Sequence, residues 1–238
     1  KFPEKKFIPL IFLLISFIAI LLTGERSNTI KIFLGIMIFF TLSDFIDFKK
    51  KIICSIVVFS MVILSVINID FLNNRYIGLI KIFNSKEKIQ YQFDNNLYFK
   101  LYKSGYNIFK QYPLFGVGNK NYRIKSCNFA FDKTKIDANE YFCSTHPHQV
   151  YFELLSEHGL IGSVILLSIF FYIMFRILKE ILISRNNIQI GCFVFVFLNF
   201  IPILPSGAFF SDFNLTIFWL NFSLMFACNK KTNIFENK

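Results

Sequence analysis

Ser144-Thr145-His146-Pro147-His148-Gln149-Val150-Tyr151-Phe152-Glu153-Leu154-Leu155-Ser156-Glu157-His158-Gly159-Leu160-Ile161-Gly162 carries all three histidines of the chain into the start of a strongly apolar segment. A long polar stretch ends here and a membrane-type helix begins. The architecture therefore reads as a polar excursion set between two groups of apolar helices. Imidazole is the only side chain whose unperturbed charge switches near neutral pH, and it is costly to place at a membrane boundary. Any chemistry is expected at this stretch.

The composition agrees. Of 238 residues, 54% are hydrophobic and 19% aromatic, with 34 phenylalanines, and only 17% are charged, where a soluble domain carries roughly a quarter. Mean hydropathy is +0.50. An integral membrane protein is implied. The net charge of +11 does not point to nucleic acid, because many of the lysines stand beside the ends of apolar runs, where membrane topology places them. The chain opens on Lys1-Phe2-Pro3-Glu4-Lys5-Lys6 without a signal-peptide pattern. It reads as the C-terminal part of a longer protein.

Six apolar runs approach the length of a bilayer core, about 20 helical residues: 7–23, 30–46, 52–69, 159–178, 188–204 and 213–228. Basic residues follow a pattern across them. Lys1, Lys5 and Lys6 precede the first run, and Lys49, Lys50 and Lys51 separate the second and third. Arg176, Lys179 and Arg185 follow the fourth; Lys230 and Lys231 follow the sixth. Six spans put all these clusters on one side, which the positive-inside rule makes cytoplasmic. The other side receives Gly24-Glu25-Arg26-Ser27-Asn28, a long segment from about 70 to 150, and Pro205-Ser206-Gly207-Ala208-Phe209-Phe210-Ser211-Asp212. The expected fold class is all-α integral membrane: three transmembrane helices in 1–69, a periplasmic loop domain with short helices in 70–150, and three more transmembrane helices in 151–238. Within the loop, apolar Leu101, Ile108 and Tyr112 at helical spacing predict a helix that Pro113 ends. It either lies on the membrane surface or packs into a small core of the loop. Gly116 and Gly118 mark a turn that permits close backbone approach.

Pro147 suits the first turn of a helix, which places His148 in that turn and His146 or Thr145 near the cap. Amide groups and the positive end of the dipole converge there, favouring an anion and a neutral imidazole. Neutral His148 can act as a general base; the bland reading is that these histidines only cap the helix. Glu153 and Glu157, at i and i+4, could act as a paired acid and base, but the spacing reads rather as two like charges on a wet helix face; His158 beside Gly159 reads as a packing residue rather than a ligand. Arg26 can clamp phosphate through its planar, always-charged fork, or merely snorkel to headgroups. Arg123 is a second candidate with the same two readings, and Lys125 adds charge beside it. Cys54, Cys192 and Cys228 read as packing residues. Cys127 and Cys143 lead to a disulfide in an oxidising compartment, worth about 3 kcal/mol for such a loop. The rival is zinc on Cys143, His146 and His148, with the usual paired C-x-x-C spacing missing.

In order, Gly24-Glu25-Arg26-Ser27, then Pro113-Leu114-Phe115-Gly116-Val117-Gly118, then His146-Pro147-His148-Gln149-x-Tyr151-Phe152-Glu153-x-x-x-Glu157-x-Gly159-Leu160-Ile161-Gly162, together with Pro205-Ser206-Gly207-x-Phe209-Phe210, the chain resembles the C-terminal half of the O-antigen ligase and O-antigen polymerase superfamily. That superfamily also includes protein O-oligosaccharyltransferases. The resemblance implies a fragment of a larger bundle of the GT-C type in the bacterial inner membrane, multi-pass, with its active site facing the periplasm. It implies glycan transfer from an undecaprenyl-pyrophosphate carrier to a lipid, glycan or protein acceptor, with no cofactor and no metal. It matches Arg26 to an arginine that engages the pyrophosphate and His148 to the histidine at the site of transfer. His146 and Arg123 are the further candidates for substrate binding. Two departures stand out: Gln149 replaces the usual Asn after the histidine, and Asn96-Leu97-Tyr98 stands where a second basic residue is often found, leaving Arg123 or Lys100 as substitutes. The alternatives are a membrane transporter, which predicts ionisable residues deep in the spans, and a non-catalytic polysaccharide-assembly subunit.

Overall fold

The computed structural model describes residues 7–44, 47–82, 95–131 and 140–233. Lys1, Lys5 and Lys6, the end of the second apolar run at Phe45 and Ile46, and the loop positions 83–94 and 132–139 lie outside the described residues. Among the described residues there are nine helices and no strand: α1 (Phe7–Leu22), α2 (Arg26–Leu42), α3 (Phe48–Asn68), α4 (Asp70–Ile82), α5 (Leu97–Gln111), α6 (Tyr122–Phe131), α7 (Val150–Ser184), α8 (Asn187–Leu198) and α9 (Asp212–Ala227). By length and composition α3 and α7 can each cross a membrane, while Ile11–Leu22 and Asn187–Leu198 are shorter apolar helices. Helix α8 stops before the apolar run does. Pro202 and Pro205 follow it, and proline cannot continue a helix.

Polar side chains start several of these helices. Asn186 accepts from the Ile188 and Gln189 amides, Ser211 from Asn214, and Asn96 from Tyr98, each satisfying donors that a helix N-terminus leaves open. The core lies where α7, α8 and α9 meet. Met174, Ile177 and Ile181 of α7 pack with Ile190 and Val196 of α8 and Met225 of α9, at spacings of three and four that give a helix one apolar stripe. Helix α2 joins through Gly35, where an added Cβ would lie 3.0 Å from Leu198 and 3.4 Å from Val194.

Two ends can be told apart by their bonds. At one, Arg185 Nη1 donates to the Leu42 carbonyl at 2.8 Å and Asn186 Nδ2 to the Cys228 carbonyl at 2.7 Å. This gathers the C-terminal ends of α2, α7 and α9. At the other, Lys31 Nζ donates to the Pro205 carbonyl at 2.8 Å, and the Ser206 amide donates to the His148 carbonyl at 2.8 Å. The early turns of α2, the start of α7 and the loop between α8 and α9 therefore share one end. Arg26 and His148 both belong to it.

Helix α5 packs against α7 and α6 and buries Leu101, Ser104, Gly105, Asn107 and Ile108. The buried face of α5 is thus turned to the start of α7 and to α6.

Candidate functional site

Helix α7 is two helices in series. Gly159 interrupts it at φ +64° and ψ −169°, a backbone geometry that side-chain-bearing residues rarely reach. The turn 113–118 clasps this break from outside. The Val117 and Gly118 amides donate to the Ser156 and Glu157 carbonyls at 3.0 and 2.8 Å. The Leu160 and Ile161 amides donate to the Pro113 and Leu114 carbonyls at 2.8 and 3.2 Å. Four backbone groups that an uninterrupted helix would pair internally are thus satisfied by the loop. The approach is so close that a Cβ on Gly159 would stand 2.3 Å from the Leu114 oxygen, and one on Gly116 2.4 Å from the Glu157 carbonyl.

The half-helix before the break, Val150–His158, holds two carboxylates, and both are buried. Glu153 accepts from the Phe209 and Phe210 amides at 2.9 and 3.4 Å. Glu157 accepts from the Lys120 and Tyr122 amides at 2.9 and 3.3 Å. Their residues are 2% and 3% exposed. This corrects the expectation of a wet face. The amides come from loops 35 or more positions away, and spacing along the chain cannot reveal such partners. A usable signal existed, since a carboxylate entering an apolar helix must be paired to be tolerated. His158 meets Phe210 edge to face at 4.9 Å, a packing contact.

The helix start is a second correction. Gln149, not a histidine, is the N-cap: its side chain accepts from the Tyr151 and Phe152 amides at 2.8 and 3.1 Å, and α7 begins at Val150. His148 lies just before the cap at φ +55°, where a non-glycine residue is strained by about 1 kcal/mol or more. The Ser206 amide bonded to its carbonyl helps to hold it there. The His146 and His148 rings stand 3.9 Å apart, and Tyr98 meets His148 edge-on at 5.9 Å. Burial, and next the neighbouring His148, depress the His146 pKa to about 4; burial also lowers that of His148. Both imidazoles are therefore neutral at pH 7. His146 Nδ1 lies 2.9 Å from Thr145 Oγ1, while its Nε2 is buried without a partner among the described residues.

The segment that delivers the histidines is threaded between α5 and α6. Cys127 and Cys143 are joined by a disulfide, so Cys143 has no thiolate to offer the zinc set considered from sequence. Among the described residues no three His, Cys, Asp or Glu side chains converge as a metal site. Ser126 Oγ donates to the Ser144 carbonyl at 3.3 Å. Tyr122 O–H donates to Ser104 at 3.1 Å, deep between the helices. On α5, Gly105 lets Pro147 approach, since a Cβ there would lie 3.0 Å from the proline ring. At the Gln149 cap runs an open groove of about 680 Å³ lined by Phe99, Tyr102, Lys103, Tyr106, Phe152 and Ile203.

Arg26 opens α2 directly after the turn at Gly24, whose φ of +69° and contact with the Phe71 ring leave no room for a Cβ. A cation that the sequence reading missed leans on the same turn. The Arg75 guanidinium carbon sits 5.8 Å from the Phe71 ring centre, and its Cγ lies 3.7 Å from where a Gly24 Cβ would be. Helix α4 brings it there, and Tyr76 O–H bonds Thr29 on α2 at 2.9 Å. Nothing local in the sequence marked Arg75. Arg123 is exposed in the first turn of α6.

These features define a helical membrane protein whose polar loops converge, around a neutral histidine pair, on the end of the bundle that also carries Arg26. The O-antigen ligase (Wzy_C) family model matches residues 11–167, more than half of the chain, and the protein belongs to this family. Membership makes it a membrane enzyme of the glycosyltransferase type that acts on lipid-linked glycans. Comparison with curated proteins and with solved structures returned no match.

Proposed function

We propose that this protein moves a glycan from an undecaprenyl-pyrophosphate carrier to an acceptor hydroxyl at the periplasmic face of a bacterial inner membrane. The observation that carries this reading is His148: neutral, held by the Ser206 amide, and on the same end of the bundle as Arg26 in a chain of this family. The orientation is supported by the basic clusters. Arg185 lies at the opposite end beside Leu42, and Lys49, Lys50 and Lys51 follow α2 at that end, as the positive-inside rule requires of a cytoplasmic side.

The reaction follows from the groups present. The acceptor oxygen attacks the sugar's anomeric carbon while the bond from that carbon to the diphosphate oxygen breaks, its electron pair leaving with the diphosphate. The acceptor's proton passes to neutral His148. Arg26 neutralises the departing diphosphate by bidentate contacts, with Arg75 beside it as a second guanidinium. His146, whose buried Nε2 is unpartnered among the described residues, is assigned to sugar binding. Arg123 is the rival second cation, and the two are ranked by whether Arg75→Ala or Arg123→Ala raises the donor KM more.

His148→Ala in the full-length protein is expected to lower glycan transfer by a factor of about 10² or more while membrane insertion is retained. Wild-type transfer by that variant would remove His148 from the reaction. Because burial lowers the His148 pKa, the base is unprotonated throughout neutral pH. Transfer should therefore fall on acidification with its midpoint below the ordinary histidine value near 6.5; a fall centred above 6.5 would contradict this assignment.

A further inference from the structure

Lys31 stands in α2 among Ile30, Ile32 and Phe33, five residues beyond Arg26. An ammonium carries three donors. The bond found for it is the one to the Pro205 carbonyl, and no carboxylate pairs with it among the described residues. A cation held in an apolar helix without a counter-ion is expensive, and an ionisable residue in such a place is retained where a charge must be met. Its surroundings say where that charge arrives. The residue after Pro205 is Ser206, whose amide holds the His148 carbonyl, so the ammonium is one peptide unit from the anchor of the proposed base. Gly35, one turn further along the same face, is pressed against α8, which keeps this face of α2 turned to the 199–211 loop. Thr29, bonded to Tyr76 of α4, lies on the opposite side. Lys31 and the His148 carbonyl thus bond the two opposite edges of one peptide unit, the Pro205 oxygen and the Ser206 amide.

We propose that Lys31 binds the phosphate group of the lipid-linked donor next to the bond that breaks. This rests on the glycosyltransferase reading above and deepens it. When the bond from the anomeric carbon to the phosphate oxygen is cleaved and the acceptor's proton goes to His148, the electron pair remains on that oxygen. The Lys31 ammonium stabilises it there without giving up a proton. Arg26 acts from the first turn of α2, on its outer side, and Lys31 from the side of the histidine.

The test uses the full-length protein in lipid nanodiscs, comparing wild type, Lys31→Met, Lys31→Arg and His148→Ala. Binding of undecaprenyl diphosphate and of undecaprenol is measured alongside glycan transfer. Lys31→Met is expected to weaken undecaprenyl diphosphate binding by about tenfold or more, the effect of removing a charged hydrogen bond, and to leave undecaprenol binding unchanged. The donor KM should rise, kcat should fall, and Lys31→Arg should recover a large part of both. The acid limb of the pH profile should stay where it is in the wild type. Wild-type affinity for the diphosphate in Lys31→Met overturns the proposal, as does lost transfer with affinity intact and a displaced pH limb, which would make Lys31 a tether for His148. Should Lys31→Met fail to fold, Lys31→Arg decides: near-wild-type diphosphate binding supports the proposal and loss of it refutes it. Failure of the parent reading looks different, because then the wild type transfers no glycan or His148→Ala transfers it normally.

Discussion

Helix α3 and the half-helix Val150–His158 meet water and lipid in opposite ways. Along its 21 residues α3 buries none against the rest of the chain, and Ile53, Ile56 and Leu64 are each about 60% exposed. The half-helix buries Val150, Glu153, Leu154, Ser156 and Glu157 and is bonded to two separate loops. An apolar surface such as that of α3 is satisfied by hydrocarbon and asks nothing of the protein. Buried carboxylates and an interrupted backbone are satisfied only by groups in the right positions. The first region is tolerant for that reason, and the second specifies one arrangement.

Substitutions can break or sharpen this contrast. The largest effect is expected at Gly159. A valine there meets both a left-handed backbone and the Leu114 carbonyl, and Gly159→Val should cost about 4 kcal/mol or more, read as loss of the folded fraction in detergent. Next is the link from α6 to the histidine segment. Cys127 and Cys143 are 16 positions apart, and Cys127→Ser should cost about 3 kcal/mol by the loop-closure argument, with a matching drop in thermal midpoint on reduction of the wild type. Glu153→Leu strands two amides of the 205–211 loop and should cost about 2 kcal/mol. It should also lower transfer, since Ser206 in the same loop holds His148. Smallest is Ile56→Val on α3, expected within about 0.5 kcal/mol. A thermal midpoint for Ile56→Val as low as that for Glu153→Leu would remove the distinction between the two regions.

Much of the helical layout was legible because apolar runs and capping residues act locally. All but the last residue of the third run, 52–69, lies in α3 (Phe48–Asn68), Pro113 ends α5 two residues after its last helical position, and the run 213–228 became Asp212–Ala227. The site was legible in part. The histidine stretch marked where loops and membrane helix meet, yet the cap proved to be Gln149, because its amide oxygen reaches the Tyr151 and Phe152 amides and leaves His148 outside the helix. Glu153 and Glu157 were misread because their partners lie far along the chain. The placements of Arg75 against the Gly24 turn and of Lys31 on the Pro205 carbonyl went unnoticed because each contact joins segments far apart in sequence.

From its residues alone this chain had to be helical and membrane-bound, since short-range periodicity and transfer free energy depend only on near neighbours. The glycine-clasped break in α7, the paired carboxylate clamps and the meeting of Arg26, Lys31 and His148 at one end belong to the tertiary structure. Each depends on hydrogen bonds or contacts between segments distant in sequence, and only the packed bundle brings those segments within reach.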